Sequence, residues 1–322
     1  MSAPTILLIG CSGQVGGELA RLLAPLSQLI VTDIPAALAA YSKPAGVAGT
    51  RELLLTHPEE IRKLVLEIRP QIIIIAAAYT AVDRAETDRE LCSTINASAP
   101  GWIGSVASEI GATVIHYSTD YVFDGSGEQF RRESEPTGPL NWYGATKLAG
   151  EKALLEANPR SFVFRTSWVV SAIGNNFIKT MLRFGAEREE LRVVADQIGA
   201  PTTARAIAQA TLDVVRGIMP GVGRAKGASI KHGVYHMVCR GVTSWHGLAE
   251  ETFAIAKRYE IPLRVRSVVP IRTTEWPTPA QRPLNSRLDC TKLRTELGIE
   301  LPDWKTAISD VIADLASSAR TS

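Results

Sequence analysis

Five short apolar runs recur through the first half of the chain: TILLIG (5–10), LIVTD (29–33), QIIIIAAA (71–78), ATVIHYST (112–119) and SFVFRTSW (161–168). Their apolar residues are continuous rather than alternating, as strands buried on both faces of a parallel sheet require. Helical patterns lie between them, VGGELARLLAPL for one. Another follows Thr56-His57-Pro58-Glu59, where Thr56 can cap and Glu59 can reach back to complete a capping box. This alternation predicts an α/β fold, a Rossmann-like doubly wound parallel sheet.

After Trp168 the order loosens. TARAIAQATLDVVRGIM (203–219) reads as an amphipathic helix and GVYHMV (233–238) as a strand, both expected to return to the sheet. The expected division is a dinucleotide-binding domain of residues 1–168 and 196–242, with a smaller substrate-binding lobe of 169–195 and 243–322. Within that lobe TTEWPTPAQRPLNSRLD (273–289) carries enough proline to predict an ordered loop. At 322 residues, 45% of them hydrophobic, the chain can bury a core of this size.

Charge and cysteine usage remove several function classes. Lys and Arg total 35 against 33 Asp and Glu, and no long block carries one sign. Neither a nucleic acid nor a membrane is therefore expected as a partner. No stretch approaches the roughly 18 apolar residues of a membrane span. The opening MSAPTILLIG lacks a basic segment before its apolar run, which leads to the expectation of a cytoplasmic protein. Cys11, Cys92, Cys239 and Cys290 are far apart and form no CxxC pair, so reduced thiols are expected. His232 and His236 fall on a turn entering a strand, where residues four apart are not helix neighbours, and no metal site is expected.

Chemistry enters at LLIGCSGQVGGEL, where Gly10, Gly13 and Gly16 follow a strand and open a helix. Such a turn lets backbone amides and the positive helix end approach a pyrophosphate, although the same turn can exist for packing alone. Ser12, Gln14 and Val15 of this turn, with Ala76, Ala77 and Ala78 closing a later run, complete the expected cofactor-binding set. Asp33 closes the second run. A carboxylate there can hold the adenosine ribose and repel a phosphate, favouring NADH over NADPH, or it can simply begin the turn with Ile34-Pro35.

In LNWYGATKLAGEKALLEA, Tyr143 and Lys147 stand one helical turn apart. One reading has Tyr143 packing at a helix start while Lys147 pairs with Glu151, but Lys before Glu is the poorer order for such a pair. In a dinucleotide fold the pair has a chemical use. An ammonium and an oxidised nicotinamide stabilise phenolate, so Lys147 would lower the pKa of Tyr143 and also hold the nicotinamide ribose. Ser118 or Thr119, at the carboxyl end of a strand, can donate a hydroxyl to a substrate carbonyl.

Together these motifs resemble the extended short-chain dehydrogenase/reductase superfamily. GCSGQVGGEL, AAAYTAVDRAE, NASAP, HYSTDYVFDG, PLNWYGATKLAGEKAL, FRTSWVV, GNNFIKTML, DQIGAPT and RPLNSRLD, spread over nearly the whole chain, narrow the resemblance to its reductases of dTDP-linked 4-keto-6-deoxyhexoses, which finish dTDP-L-rhamnose synthesis. The resemblance implies reduction of a dTDP-linked keto sugar by hydride from NADPH, with NADH as the other candidate donor. It makes Tyr143 the proton donor, Lys147 its modulator and Thr119 the donor to the carbonyl, with Trp168, Asp120 and Asn285 on the substrate side. Trp168 can equally cap the core.

Sugar-nucleotide dehydratases of the superfamily follow the threonine with Asp-Glu, whereas Tyr121 follows Asp120 here. Epimerases and a non-catalytic NADP-binding regulatory subunit are the other readings; the complete Tyr-Lys-Thr set speaks against the last. Leu54 stands where relatives commonly have an aspartate toward the adenine. Some relatives dimerise around Mg2+. Glu18 and Asp314 match that pattern, but Arg205 takes a third ligand position and would repel the ion, so a homodimer is left open and a metal bridge is not carried over.

Overall fold

A computed structural model describes residues 3–219 and 231–321, so residues 1–2, 220–230 and 322 of the expected domains lie outside the described residues. Seven parallel strands form the central sheet: β1 (Thr5–Ile9), β2 (Gln28–Asp33), β3 (Gly49–Glu52), β4 (Ile72–Ile75), β5 (Thr113–Thr119), β6 (Ser161–Thr166) and β7 (Gly233–His236). Their order is β7-β6-β5-β4-β1-β2-β3. The continuous apolar runs follow from this arrangement. Leu7, Ile9, Ile73, Ile75, Val114 and Val163 pack on one face, and their chain neighbours Ile6, Leu8, Ile72, Ile74, Ile115 and Phe162 on the other.

Helices α1 (Gln14–Leu23), α2 (Pro58–Ile68), α3 (Ala99–Ile110) and α4 (Trp142–Ala157) alternate with these strands. Leu64, Ile103 and Leu154 place α2, α3 and α4 on one face, while Leu19 and Leu23 place α1 on the other. One strand was not expected from the sequence, and one sequence expectation is corrected. β3, read as GTRE, is a short polar edge strand with no apolar run to betray it. The Thr56/Glu59 capping box does not form: Pro58 takes the first helical position, His57 becomes the N-cap without a side-chain cap bond, and Thr56 Oγ1 sits 3.1 Å from His57 Nδ1. Proline's fixed φ starts the helix one residue later than the box requires.

The second half adds α5 (Phe177–Glu187), α6 (Ala204–Ile218), α7 (Trp245–Arg258) and α8 (Trp304–Thr321). Glu190–Val194 pairs with Ser267–Ile271, and Val169–Val170 with Thr202–Thr203. Ile198–Gly199 pairs with both Thr243–Ser244 and Asn285–Ser286, stitching the two expected domains together. Ile207, Leu248, Ile308 and Ile312 are buried in the same apolar cluster as Leu8 and Phe164, so the halves share a core. Segment 273–289 is ordered, with a 3-10 turn at Thr273–Glu275 and the two-residue strand Asn285–Ser286. Its Gln281 carbonyl accepts from Asn141 and its Asn285 N–H donates to the Gly125 carbonyl, which brings this part of the segment beside the end of β5, where the candidate site lies.

Candidate active site

At the end of β1 the chain turns under steric orders. A Cβ on Gly16 would lie 1.9 Å from the Gly10 carbonyl oxygen, and one on Gly10, whose φ is +90°, would lie 2.5 Å from the Ala77 nitrogen. Gly13 has no such crowding and is exposed at the N-cap of α1. Packing therefore accounts for Gly10 and Gly16, and it brings helix and strand close enough that the turn presents backbone at the N-terminus of α1, whose own first turn carries no acidic residue. Ser12 donates both its N–H (2.9 Å) and its hydroxyl (2.7 Å) to Asp33 Oδ2, while Ile34 N–H donates to Oδ1 at 2.9 Å. Asp33 is thus the brace of the glycine turn as well as the end of β2.

Neighbouring segments complete this end. The N–H groups of Ala76 and Ala77 both donate to the Ile9 carbonyl, so Ala76–Ala77–Ala78 leaves β4 alongside the turn instead of prolonging the strand. Asn96, buried in the π-helical turn Thr94–Ser98, accepts from Tyr79 N–H (2.9 Å) and donates to the Tyr79 carbonyl (3.0 Å), fixing the same loop. Gln14 accepts from Asn176 Nδ2 at 3.0 Å, and Val15 packs on the apolar cluster.

The second end is built on α4. Asn141 caps it by accepting from Gly144 N–H at 2.8 Å and donates to the Gln281 carbonyl at 2.7 Å, while Glu86 accepts from Trp142 N–H at 2.7 Å. A Cβ on Gly144 would stand 2.2 Å from the Tyr121 carbonyl oxygen, so the helix seats directly on the turn that ends β5. Tyr143 then lies edge-on to Tyr121, with ring centroids 5.6 Å apart. Lys147 is buried and donates to the Tyr117 carbonyl at 2.6 Å, with His116 Nε2 at 3.2 Å. Its pairing with Glu151 is not made: both carboxylate oxygens of Glu151 accept from Arg165, at 2.7 to 3.2 Å.

Electrostatics differ from the sequence expectation at one point. Burial pushes the Tyr143 phenol up, with Asp120 and Cys92 adding to the push and a Thr119 hydrogen bond opposing it. The lowering by Lys147 expected from the sequence does not set the shift: burial does, and the opposing contribution comes from Thr119. The phenol is held protonated, which suits a proton donor. Burial lowers Lys147 to about 8 against the opposing Glu151 charge, and raises Asp120 to about 6 against hydrogen bonds from Ser286 and Thr119.

On the substrate side Thr119 donates its hydroxyl to Asp120 Oδ1 at 3.0 Å and accepts from Tyr121 N–H at 3.2 Å, while Asp120 Oδ2 is buried with no partner. Ser118, the alternative hydroxyl, is also buried without a partner. Trp168 takes a left-handed φ of 49° and stacks on Trp245 at 3.8 Å, and Trp245 donates to Gln197 Oε1 at 3.0 Å. Asn285 is placed differently from a ligand contact. Its amide donates to the Ser126 and Gln129 carbonyls and its Oδ1 accepts from Arg287, so it ties loops together.

Tyr143, Lys147, Thr119 and Asp120 thus come together at the end of β5, the glycine turn, Asp33 and Ala76–Ala78 gather at the ends of β1, β2 and β4, and Trp168 stands on a flank. Sequence reasoning passed over Asn96, Asn141, His116 and Trp245. An Asn two residues before the tyrosine at a helix start was a readable cap signal; the others meet their partners only through the fold. A divalent ion does not fit between Glu18 and Asp314, because the Arg205 guanidinium bridges them at 3.8 and 2.5 Å. Among the described residues no group of three or more His, Cys, Asp or Glu side chains is placed to hold a metal.

Comparison with known proteins gives consistent matches. The RmlD substrate binding domain family matches residues 4–317. A dTDP-4-dehydrorhamnose reductase of Escherichia coli K12 is 45% identical over 96% of this chain and 97% of its own length. One of Burkholderia thailandensis is 44% identical, over 97% and 99%. Among solved structures, a dTDP-4-dehydrorhamnose reductase of Clostridium acetobutylicum superposes with a TM-score of 0.83 at 32% identity, covering 97% of this chain and 99% of its own. That of Bacillus anthracis, in complex with NADP, gives 0.79 at 30% identity, covering 98% and 100%.

Proposed function

The chain belongs to the RmlD substrate binding domain family, and from that premise we infer how it works as a dTDP-4-dehydrorhamnose reductase, with each role assigned to a side chain. The reaction reduces the 4-keto group of dTDP-4-dehydrorhamnose to the hydroxyl of dTDP-L-rhamnose. Bound NADPH or NADH supplies the hydride that goes to C4. Tyr143 gives its phenolic proton to O4, and burial keeps that proton in place until the oxygen becomes basic. Lys147 supplies the positive charge that steadies the phenolate left behind, and Thr119 donates to the carbonyl as its hydroxyl turns from Asp120.

The observation that carries this reading is the meeting of Tyr143, Lys147 and Thr119 at the end of β5, on the sheet edge that also carries the glycine turn. Residues Gly10, Ser12, Gly13, Gln14, Val15, Gly16, Asp33 and Ala76–Ala78 take the cofactor, with NADPH as main donor and NADH also used. The lobe of residues 169–195 and 243–322 takes the nucleotide-sugar, with Trp168 against the sugar and Asn285 shaping the loop above it. No described helix is long and apolar enough to cross a membrane. Purified protein given NADPH and dTDP-4-dehydrorhamnose, made enzymatically from dTDP-glucose, should oxidise the cofactor and yield dTDP-L-rhamnose. Folded, cofactor-bound protein that leaves both untouched overturns the assignment.

A further inference from the structure

His116 is a costly residue to bury where it stands. It lies on β5, 1% exposed, beside Ile75 and Val163 in the register of the sheet. Burial pushes its pKa well below the ordinary value and the Lys147 ammonium pushes it further, so the ring is neutral. A neutral imidazole has one N–H and one lone pair. With Nε2 facing the Lys147 ammonium at 3.2 Å, the lone pair belongs on Nε2 and the proton on Nδ1, which is buried with no partner. An apolar side chain would avoid that unsatisfied donor. The ring is explained by what Nε2 does for the lysine.

An ammonium has three donors. One goes to the Tyr117 carbonyl at 2.6 Å and one to His116 Nε2, and among the described residues the third has no protein acceptor. We propose that His116 is a positioning residue for the reduction, which together with the Tyr117 carbonyl holds two N–H groups of Lys147 from beneath and leaves the third for the Tyr143 side of the site. The inference rests on the reading of Lys147 as the lysine that serves Tyr143. The charged and titratable groups around Lys147 are Tyr143 and Glu151 on its own helix, His116 on β5, Cys92 on Arg89–Ser93, and Arg165 on β6, which engages Glu151. Among the described residues only His116 offers the ammonium a side-chain acceptor.

The test compares His116→Met, which keeps the volume and offers only a weakly accepting thioether, with His116→Gln, whose amide oxygen can accept, and with Lys147→Met. In His116→Met kcat should fall about 10- to 100-fold, the size of one hydrogen bond to a charged group, while KM for the keto sugar changes less than about threefold. The high-pH limb of kcat should move to lower pH, because the charged lysine has lost an acceptor. His116→Gln should recover most of both effects. A role in packing alone predicts a lower melting temperature with kcat and the limb unmoved, and that result overturns the proposal, as does His116→Gln behaving like His116→Met. If His116→Met fails to fold, a wild-type limb with reduced kcat in His116→Gln overturns it as well. Full turnover in Lys147→Met instead brings down the catalytic assignment itself.

Discussion

The two ends of the site lie on one sheet edge and are built from different materials. At the adenosine end, Gly10 and Gly16 are required by close contacts that any Cβ would violate, Gly16 against the Gly10 carbonyl six residues back and Gly10 against Ala77 where the chain leaves β4. At the hydride end, buried polar side chains from β5, α4 and Asn285–Ser286 are packed together against their own desolvation. One end stores little electrostatic cost; the other is made of it. A binding surface for a pyrophosphate needs access and amides, whereas proton transfer needs groups whose charge states are held away from their solution values.

Substitutions should separate the two. Tyr143→Phe removes the proton donor and little volume, so kcat should fall by about 10²- to 10⁴-fold while cofactor affinity, followed by quenching of protein fluorescence, stays within about threefold. A variant turning over at near-normal rate would mean that the proton comes from elsewhere. Gly16→Ala should do the reverse. Its Cβ meets the Gly10 carbonyl, the helix must back away from the strand, and the cofactor KM should rise by about 10- to 100-fold with a smaller change in kcat at saturation. Equal losses in both parameters would erase the distinction between the ends.

The same contrast governs what could be read from the chain. Leu7 and Leu8 face opposite layers, both apolar, so the continuous run announced a sheet covered on both sides. The glycine turn was legible because a local backbone constraint leaves a local spacing. β3 was not, being polar, short and at an edge. Tyr143 and Lys147 were legible as a helical pair, but the direction of the phenol's shift was not, since burial sets it and burial is a property of the fold. His116 read as one more residue of a strand, and Asn285 as a ligand contact, because nothing in either neighbourhood says that Lys147 or the Ser126 and Gln129 carbonyls will arrive there.

A stability measurement sharpens the contrast. Asp120 has its pKa raised from 3.8 to about 6, so the folded state takes up a proton before the unfolded state does. Its contribution is therefore least unfavourable below about pH 4, worsens as pH rises to about 6, and at neutral pH costs up to roughly 3 kcal/mol. Asp120→Asn should melt higher than the parent near pH 7 and lose that advantage toward about pH 4, with kcat down by about tenfold. A constant difference in melting temperature across the range would place the cost in packing and not in charge.

The smallest effect belongs to Asp33, the charged side chain that braces the adenosine end. Asp33 is held by both donors of Ser12 and by Ile34 N–H, so its carboxylate is oriented and its charge is only partly offset by those neutral donors. A ribose 2′-phosphate brought near it meets repulsion of about 1 kcal/mol in a solvated setting. Asp33→Asn removes the charge but keeps one oxygen for Ser12. The ratio of kcat/KM for NADPH over NADH should rise by about three- to tenfold, with kcat for either cofactor nearly unchanged. Ser12→Ala loosens the brace and leaves the charge, and should raise both cofactor KM values without altering their ratio. If Asp33→Asn leaves the ratio where it was, the carboxylate serves the turn alone and the cofactor's ribose is recognised by other groups.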